Sequence, residues 1–193
     1  MPREIVFDKE IVVEQAKNVF WLKGFNATSM QDLVDATGLN RSSIYNSFGS
    51  KMDLFQLTLK KYQKEGSGFF EVLIHSNLNG LQTISSVFER TLELMLNDAE
   101  RKGCMFINCH TEMGNQDIQL NNLTAKNQEL LVTHFNTMVK KGQADGSITS
   151  NQKSEDLASF LTCAFQGFRI TGMNTTNRKL LTNIIENILT TIE

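Results

Sequence analysis

Five polar side chains that could bind another molecule lie within a stretch of six residues: Arg41, Ser42, Ser43, Tyr45 and Asn46. Guanidinium, hydroxyl and amide groups donate hydrogen bonds to phosphate oxygens and to the edges of bases. Thr28, Ser29 and Lys51 flank this group, and no acidic residue lies between Asp35 and Asp53. The local excess of positive charge and of hydrogen-bond donors predicts contact with double-stranded DNA.

The rest of the chain lacks the residue groupings that catalysis or metal binding requires. None of the three histidines has a companion serine or cysteine in a nucleophile-like turn, and there is neither a phosphate-binding glycine loop nor a paired-carboxylate motif. The three cysteines do not have the spacing of a metal finger. We therefore expect no enzyme activity, no cofactor, no bound metal and no structural disulfide.

Two short helices joined by a tight turn would present the polar group. Ser29 can cap the first helix, and Gly38 suits the left-handed residue that ends it. Asn40 can cap the second helix, Arg41 to Ser47, which would bury Ile44 and leave the polar side chains outward. This pattern predicts a helix-turn-helix whose second helix enters the major groove.

A longer string of residues stands in fixed register around this motif: Val12, Ala16, Phe20, Gly24, Phe25, Thr28, Leu33, Gly38, Tyr45, Phe48, Lys51 and Leu54. With these residues, positions 11–55 resemble the DNA-binding domain of the tetracycline-repressor (TetR/AcrR) family of bacterial transcription regulators. The resemblance implies a repressor that a small apolar or electrophilic effector releases from a palindromic operator. It also implies phosphate contacts from Tyr45 and Lys51, and base contacts from Arg41, Ser42, Ser43 and Asn46. A phosphate contact is the alternative for Arg41. Ser42-Ser43 stand where the family often has Gly-Thr, and this departure bears on the operator sequence.

Length and composition fit a helical protein of two domains. The 193 residues carry a net charge of −2, and 40% are hydrophobic without an apolar run long enough to span a bilayer. Met1-Pro2-Arg3 leads into charged residues instead of a signal sequence, so we expect a cytoplasmic protein with no membrane partner. Helical periodicity without strand signals predicts an all-α fold of about nine helices. A helix-turn-helix domain of three helices would occupy residues 1–49, and a helical bundle for ligand binding and dimerisation would occupy residues 50–193.

Glycines set several of the expected helix boundaries. After a short arm over residues 1–8, the first helix is expected to end at Gly24, and the fifth near Gly103. The run Glu65-Gly66-Ser67-Gly68 interrupts the fourth helix, because each glycine weakens a helix by about 1 kcal/mol relative to alanine. The run is either a hinge or the end of one helix before another starts at Phe69.

Aromatic and methionine side chains on the later helices are the candidates for lining a ligand cavity: Phe88, Met95, Phe106, Met113, Phe135, Met138, Phe160 and Phe165. The alternative for each of them is an ordinary core position. His110 and Glu112 are the nearest polar groups, and for His110 the alternative to a ligand contact is a half-buried structural histidine.

Cys104 has the surroundings of a reactive thiol. It opens the sixth predicted helix, where orphan N–H groups favour the thiolate, and Arg101 and Lys102 add positive charge. The pair Gly103-Cys104 resembles a branch of the family that includes an electrophile- and oxidant-responsive repressor of reductase genes, which implies a thiol sensor. A small buried cysteine at a helix start is the alternative.

The last two helices carry more apolar surface than one small domain can bury. Ala158, Ala164 and Gly167 would let helices approach closely, and the resemblance implies that both helices pair with their copies in a homodimer. The alternative to a regulator is a helical binding or scaffold protein with a non-functional DNA-reading head.

Overall fold

Residues 7–193, which this computed structural model describes, form nine α-helices and contain no strand. The helices are α1 (Lys9–Ala27), α2 (Met30–Thr37), α3 (Arg41–Phe48), α4 (Lys51–Ile74), α5 (Gly80–Asn97), α6 (Met105–Met113), α7 (Ile118–Asp145), α8 (Ser154–Asn174) and α9 (Arg178–Thr190). The predicted all-α class is confirmed. Of the predicted arm over residues 1–8, the first six residues lie outside the described range.

Local capping chemistry shapes the helix-turn-helix. The Ser29 hydroxyl accepts a hydrogen bond from the Asp32 amide, and the Asp32 carboxylate accepts one from the Ser29 amide. At the start of α3, Asn40 accepts a bond of 2.9 Å from the Ser43 amide. Between the two helices, Gly38 has a φ of 67°, a left-handed conformation that costs glycine little. The predicted caps and turn are therefore confirmed.

Two apolar cores hold the helices together. The first joins α1, α2 and α3 to the first half of α4, to α6 and to the start of α7, and it contains Phe20, Leu33 and Phe106. The second joins the end of α4 to α5, α7, α8 and α9, around Phe88 and Phe135. Helix α6 therefore packs with the helix-turn-helix although it follows α5 in the chain. The predicted domain boundary between residues 49 and 50 stays a prediction.

Helix α4 passes through its glycines without a break. It is continuous from Lys51 to Ile74, so the expectation of a new helix starting at Phe69 is wrong. Phe70 is buried in the second core, and such packing outweighs the weak helix propensity of Gly66 and Gly68. Neither glycine has a neighbour where a Cβ would lie, and a hinge role for them stays a prediction.

Gly24 interrupts α1 with φ 79° and ψ 175°, so the first helical run ends there as expected, and a short helical turn follows up to Ala27. The end of α5 differs from the expected one. Helix α5 ends at Asn97 instead of near Gly103, because Asp98 accepts a hydrogen bond of 2.8 Å from the Lys102 amide and closes a turn there. Over residues 7–193, no helix combines the length and the apolar character needed to cross a bilayer.

Candidate nucleic-acid interface and internal cavity

Helix α3 presents the predicted polar side chains to solvent. Arg41, Ser42, Tyr45 and Asn46 are exposed, with Tyr45 at 48%, and Ser43 is half-buried. The opposite side of the helix buries Ile44 and Phe48 in the first core. The structure thus brings the five side chains of α3 together on one open surface, where they can donate to a DNA groove.

The three flanking residues make internal bonds in the unbound protein. Thr28 is buried, and its hydroxyl donates to the Gly24 carbonyl at 2.6 Å, while the Ser29 hydroxyl belongs to the cap of α2. The Lys51 ammonium donates to the carbonyls of Phe25 and Thr28 at 2.8 and 2.7 Å and lies 4.3 Å from the centre of the Phe25 ring. These residues support the reading surface from behind, and their contacts with DNA stay predictions.

A cavity of about 580 Å³ lies between α1, α4, α5, α7 and α8. Of the predicted ligand residues, Met95 and Phe165 line it, and so does Cys104. The other predicted residues lie elsewhere, because most of them fill the two cores: Phe88, Phe135 and Met138 in the second, and Phe106 and Met113 in the first. His110 is exposed, with Nδ1 3.2 Å from the Thr124 hydroxyl, and Phe160 is exposed on α8.

Three polar side chains from distant parts of the chain meet in the cavity wall: Tyr62, Cys104 and Arg169. The Arg169 guanidinium donates a hydrogen bond to the Tyr62 hydroxyl, and the Cys104 thiol lies close to both groups. Burial raises the pKa of Tyr62 to about 12, although the adjacent guanidinium opposes the shift. The cluster combines a neutral phenol, a thiol and a permanent positive charge.

The charges that flank Cys104 differ from the predicted ones. Lys102 is paired with Asp98 at 2.7 Å and with Glu100 at 2.8 Å, so much of its charge is neutralised. Arg101 is exposed and has a φ of 51°. Arg169 on α8 is the cation that lies close to the thiol.

His134 is the other unusual group of the cavity wall. It is 5% exposed, it stacks on Phe70 with ring centres 4.9 Å apart, and its Nε2 has no hydrogen-bond partner among residues 7–193. Burial lowers the pKa of His134, although Glu71 at 3.8 Å opposes the shift. The imidazole is therefore neutral at pH 7, and its Nε2 is a buried polar atom without a hydrogen-bond partner among residues 7–193.

Contacts from the cavity wall reach the helix-turn-helix through α1. Trp21 lines the cavity and donates from Nε1 to the Gly103 carbonyl at 3.1 Å. Glu65, another lining residue, accepts a hydrogen bond of 2.6 Å from the buried Lys17 of α1. A movement of α4 or of the loop before α6 would therefore be transmitted to the helix that supports α2 and α3.

Helix α6 adds a third connection to α1. The Glu112 carboxylate accepts hydrogen bonds from the amides of Phe25 and Asn26 at 2.9 and 2.7 Å. A Cβ on Gly24 would lie 2.7 Å from the same carboxylate. The sharp turn at Gly24 and the position of α6 are thus coupled.

Helices α8 and α9 have an apolar surface that no described residue covers. Phe160, Ile170 and Leu180 are 40%, 45% and 45% exposed, and Gly167 has open space around it. Several other apolar residues of these helices, such as Leu161 and Phe168, are buried in the second core. The residues left exposed are those available to a second subunit.

Trp21, Tyr62, His134 and Arg169 are among the side chains of the cavity wall that sequence reasoning missed. Their helical periodicity identifies them only as positions at the edge of an apolar face. A signal was present in the sequence at Arg169, since an arginine within the apolar run of Phe165, Phe168 and Ile170 is unusual in a helix core.

Comparison with known proteins identifies both halves of the chain. Residues 12–58 match the family described as bacterial regulatory proteins, tetR family, and residues 80–184 match the tetracyclin repressor-like C-terminal domain. The HTH-type transcriptional repressor ComR of Escherichia coli (strain K12) is 26% identical over 169 residues, which are 87% of this chain and 80% of that protein.

Solved structures share the fold over nearly the whole length. A cysteine mutant of the TetR family transcriptional regulator CifR, complexed with 26bp double-strand operator DNA, has a TM-score of 0.87 at 21% identity and covers 99% of this chain and 100% of its own. A TetR transcriptional regulator from Chloroflexus aurantiacus has a TM-score of 0.83 at 22% identity, over 95% of this chain and 92% of its own. Because the C-terminal match alone spans more than half of the 193 residues, and the N-terminal match covers the helix-turn-helix, the chain belongs to the tetR family of bacterial regulatory proteins.

Proposed function

We propose that this protein is a dimeric transcriptional repressor that a small apolar or electrophilic effector releases from a palindromic operator. The observation that carries the proposal is the exposed polar face of α3 on a helix-turn-helix, combined with a cavity whose wall is hydrogen-bonded to α1. The repressor ComR and the operator complex of CifR support the same function. Such a protein acts in the cytoplasm, and an enzymatic role is not part of the proposal.

The proposed mechanism is a shift between two populations of the dimer. In the unliganded dimer, the two α3 helices lie about one turn of DNA apart, ~34 Å, and match the two halves of a palindrome. An effector that binds the cavity better when α4 is displaced favours a second spacing of the two helices. The bonds from Trp21 to Gly103 and from Lys17 to Glu65 would carry that displacement to α1.

The homodimer in this proposal forms through α8 and α9. The exposed Phe160, Ile170 and Leu180 supply the apolar surface, and Gly167 allows the helices to approach closely. Because the interface lies on the same helix as Arg169, a ligand in the cavity would also act on the angle between the subunits.

Cys104 allows a second class of effector, an electrophile that reacts with its thiol. The favouring observation is that Cys104 lines the cavity beside Tyr62 and Arg169, so an electrophile held there would meet the sulfur. Operator release that survives Cys104→Ser would assign the signal to a non-covalent ligand.

Selection of DNA fragments from the source genome tests the proposal as a whole. Fragments retained by the wild type should share a palindrome, and Arg41→Ala should change the selected sequence or weaken binding by about 10-fold to 100-fold. Arg90→Ala is the matched control, since Arg90 is an exposed arginine on α5, outside α3 and outside the two helices of the proposed dimer interface. The scaffold alternative instead predicts no shared sequence and equal behaviour of the two variants.

A further inference from the structure

The cavity contains a positive charge that no carboxylate of residues 7–193 neutralises. Arg169 has no acidic side chain within ion-pair distance in the part of the chain that the structure describes, and its hydrogen-bonding partner is the neutral Tyr62 hydroxyl. The two acids of the cavity wall are already paired, Glu65 with Lys17 and Lys61, and Asp98 with Lys102. This half-buried guanidinium lacks, among residues 7–193, the anion that such groups normally bind.

Much of the remaining wall is apolar and aromatic. Trp21, Phe69, Phe70, Leu130 and Phe165 line the same space, so an anion would enter it only with an apolar body attached. The wall therefore combines one site for a negative charge with an apolar surface.

We propose that the effector of this protein is an amphipathic organic anion, such as a fatty or aromatic carboxylate, whose charged group pairs with Arg169 and the Tyr62 hydroxyl. The proposal rests on the cavity being the effector site, as argued above, and it adds the chemical class. A carboxylate accepts two hydrogen bonds from the planar guanidinium, and the apolar body packs against the aromatic wall. The bound charge would also lie close to the Cys104 sulfur, which lines the same cavity.

Two fluorescent probes that differ by one charged group test this assignment. Anilinonaphthalene sulfonate carries a negative charge, and phenylnaphthylamine is its neutral counterpart without the sulfonate. The full-length wild type, without DNA, should bind the sulfonate more tightly than the neutral probe. Arg169→Gln should weaken sulfonate binding about tenfold or more and leave the neutral probe within about threefold, because a hydrogen bond to a charged group is worth at least about a tenfold change in affinity.

Control variants separate charge from shape and from surface binding. Arg169→Lys keeps the charge and should retain the preference for the sulfonate, whereas Lys126→Gln removes an exposed charge on α7 outside the cavity and should change neither affinity. Equal losses of both probes in Arg169→Gln, or an unchanged sulfonate affinity, would overturn the proposal. A competition experiment with the wild type requires no variant. Decanoate should displace the bound sulfonate probe, and decanol should not. Equal displacement by both compounds would also overturn the proposal.

Operator release is measured separately, so the two proposals can fail independently. If decanoate binds through Arg169 but never weakens operator binding, the anion site stands and the proposed release mechanism fails. If operator binding responds to a neutral ligand alone while the probes ignore Arg169, the regulator stands and the anion site fails.

Discussion

Glu112 is the residue whose removal best measures how α6 holds the end of α1. Its carboxylate accepts hydrogen bonds from the amides of Phe25 and Asn26 at 2.9 and 2.7 Å, and Glu112→Ala would leave both amides without that partner. A hydrogen bond to a charged group contributes about 1.5–3 kcal/mol when it is buried. Asn26 is exposed and water can replace the carboxylate there, so we expect a total loss of about 2 kcal/mol. For a chain of this size, that corresponds to a fall in Tm of about 4–8 °C.

Thermal unfolding at a fixed protein concentration and hydrogen exchange at the two amides measure this effect. Glu129→Ala is the matched control, since Glu129 is an exposed glutamate on α7 without an ion pair among residues 7–193. Glu112→Ala should accelerate exchange at Phe25 and Asn26, and the control should not. An unchanged Tm together with unchanged exchange would refute the assigned role of the carboxylate.

A double-mutant cycle with Gly24 tests the same geometry independently. Gly24→Ala forces an alanine into a conformation with φ 79° and ψ 175°, at a cost of about 1–3 kcal/mol, and also presses its Cβ against the Glu112 carboxylate. In the Glu112→Ala background only the backbone strain remains, so Gly24→Ala should cost less there. Strict additivity of the two substitutions would contradict the contact.

Three other perturbations give separate predictions. Lys51→Ala should lower the free energy of unfolding by about 1–2 kcal/mol in denaturant titrations, because its ammonium donates to two backbone carbonyls. If Lys51 also contacts a phosphate, the substitution should reduce the slope of the salt dependence of operator binding by about one unit. An unchanged slope would contradict that phosphate contact. His134→Phe should stabilise by about 1 kcal/mol, since it removes an unpartnered buried nitrogen and keeps the aromatic stacking. Because burial lowers the pKa of His134 in the folded protein, only the unfolded chain gains the proton as pH falls below 6.5, and the wild type loses stability there. The difference in free energy of unfolding between His134→Phe and the wild type should therefore grow as pH falls. A difference that does not change with pH would contradict this. Brief treatment with a small alkylator, followed by mass spectrometry, should label Cys109 slowest, because burial raises its pKa to about 12. A ligand bound in the cavity should protect Cys104 but not the exposed Cys163. Protection of both cysteines, or of neither, would contradict the position of Cys104 in the ligand site.

The parts of the structure that depend on neighbouring residues were predictable from the sequence. A cap needs only a side chain and an amide two or three residues ahead, so Ser29 and Asn40 could be identified as helix starts. A glycine in a left-handed turn, as at Gly38, is equally local. Helix α4 shows the limit of such reasoning, because packing of Phe70 keeps the helix intact through two glycines.

The cavity could not be predicted in this way, since its polar cluster joins Tyr62, Cys104 and Arg169 from three separate helical segments. Sequence spacing says which face of a helix is apolar, but it does not say which apolar faces leave a gap between them. For that reason Phe88 and Phe135, which have the same periodicity as Phe165, are buried in the core and do not line the cavity.

The most direct measurement of the central claim is the sequence content of genomic DNA that the protein retains at increasing salt. The proposed function predicts that fragments surviving at physiological salt share a palindrome with half-sites one turn apart, and that substitution of Ser42 and Ser43 by alanine alters the shared sequence. Retention that is lost at that salt, from fragments without any common sequence, would contradict a sequence-reading regulator and leave only nonspecific charge attraction.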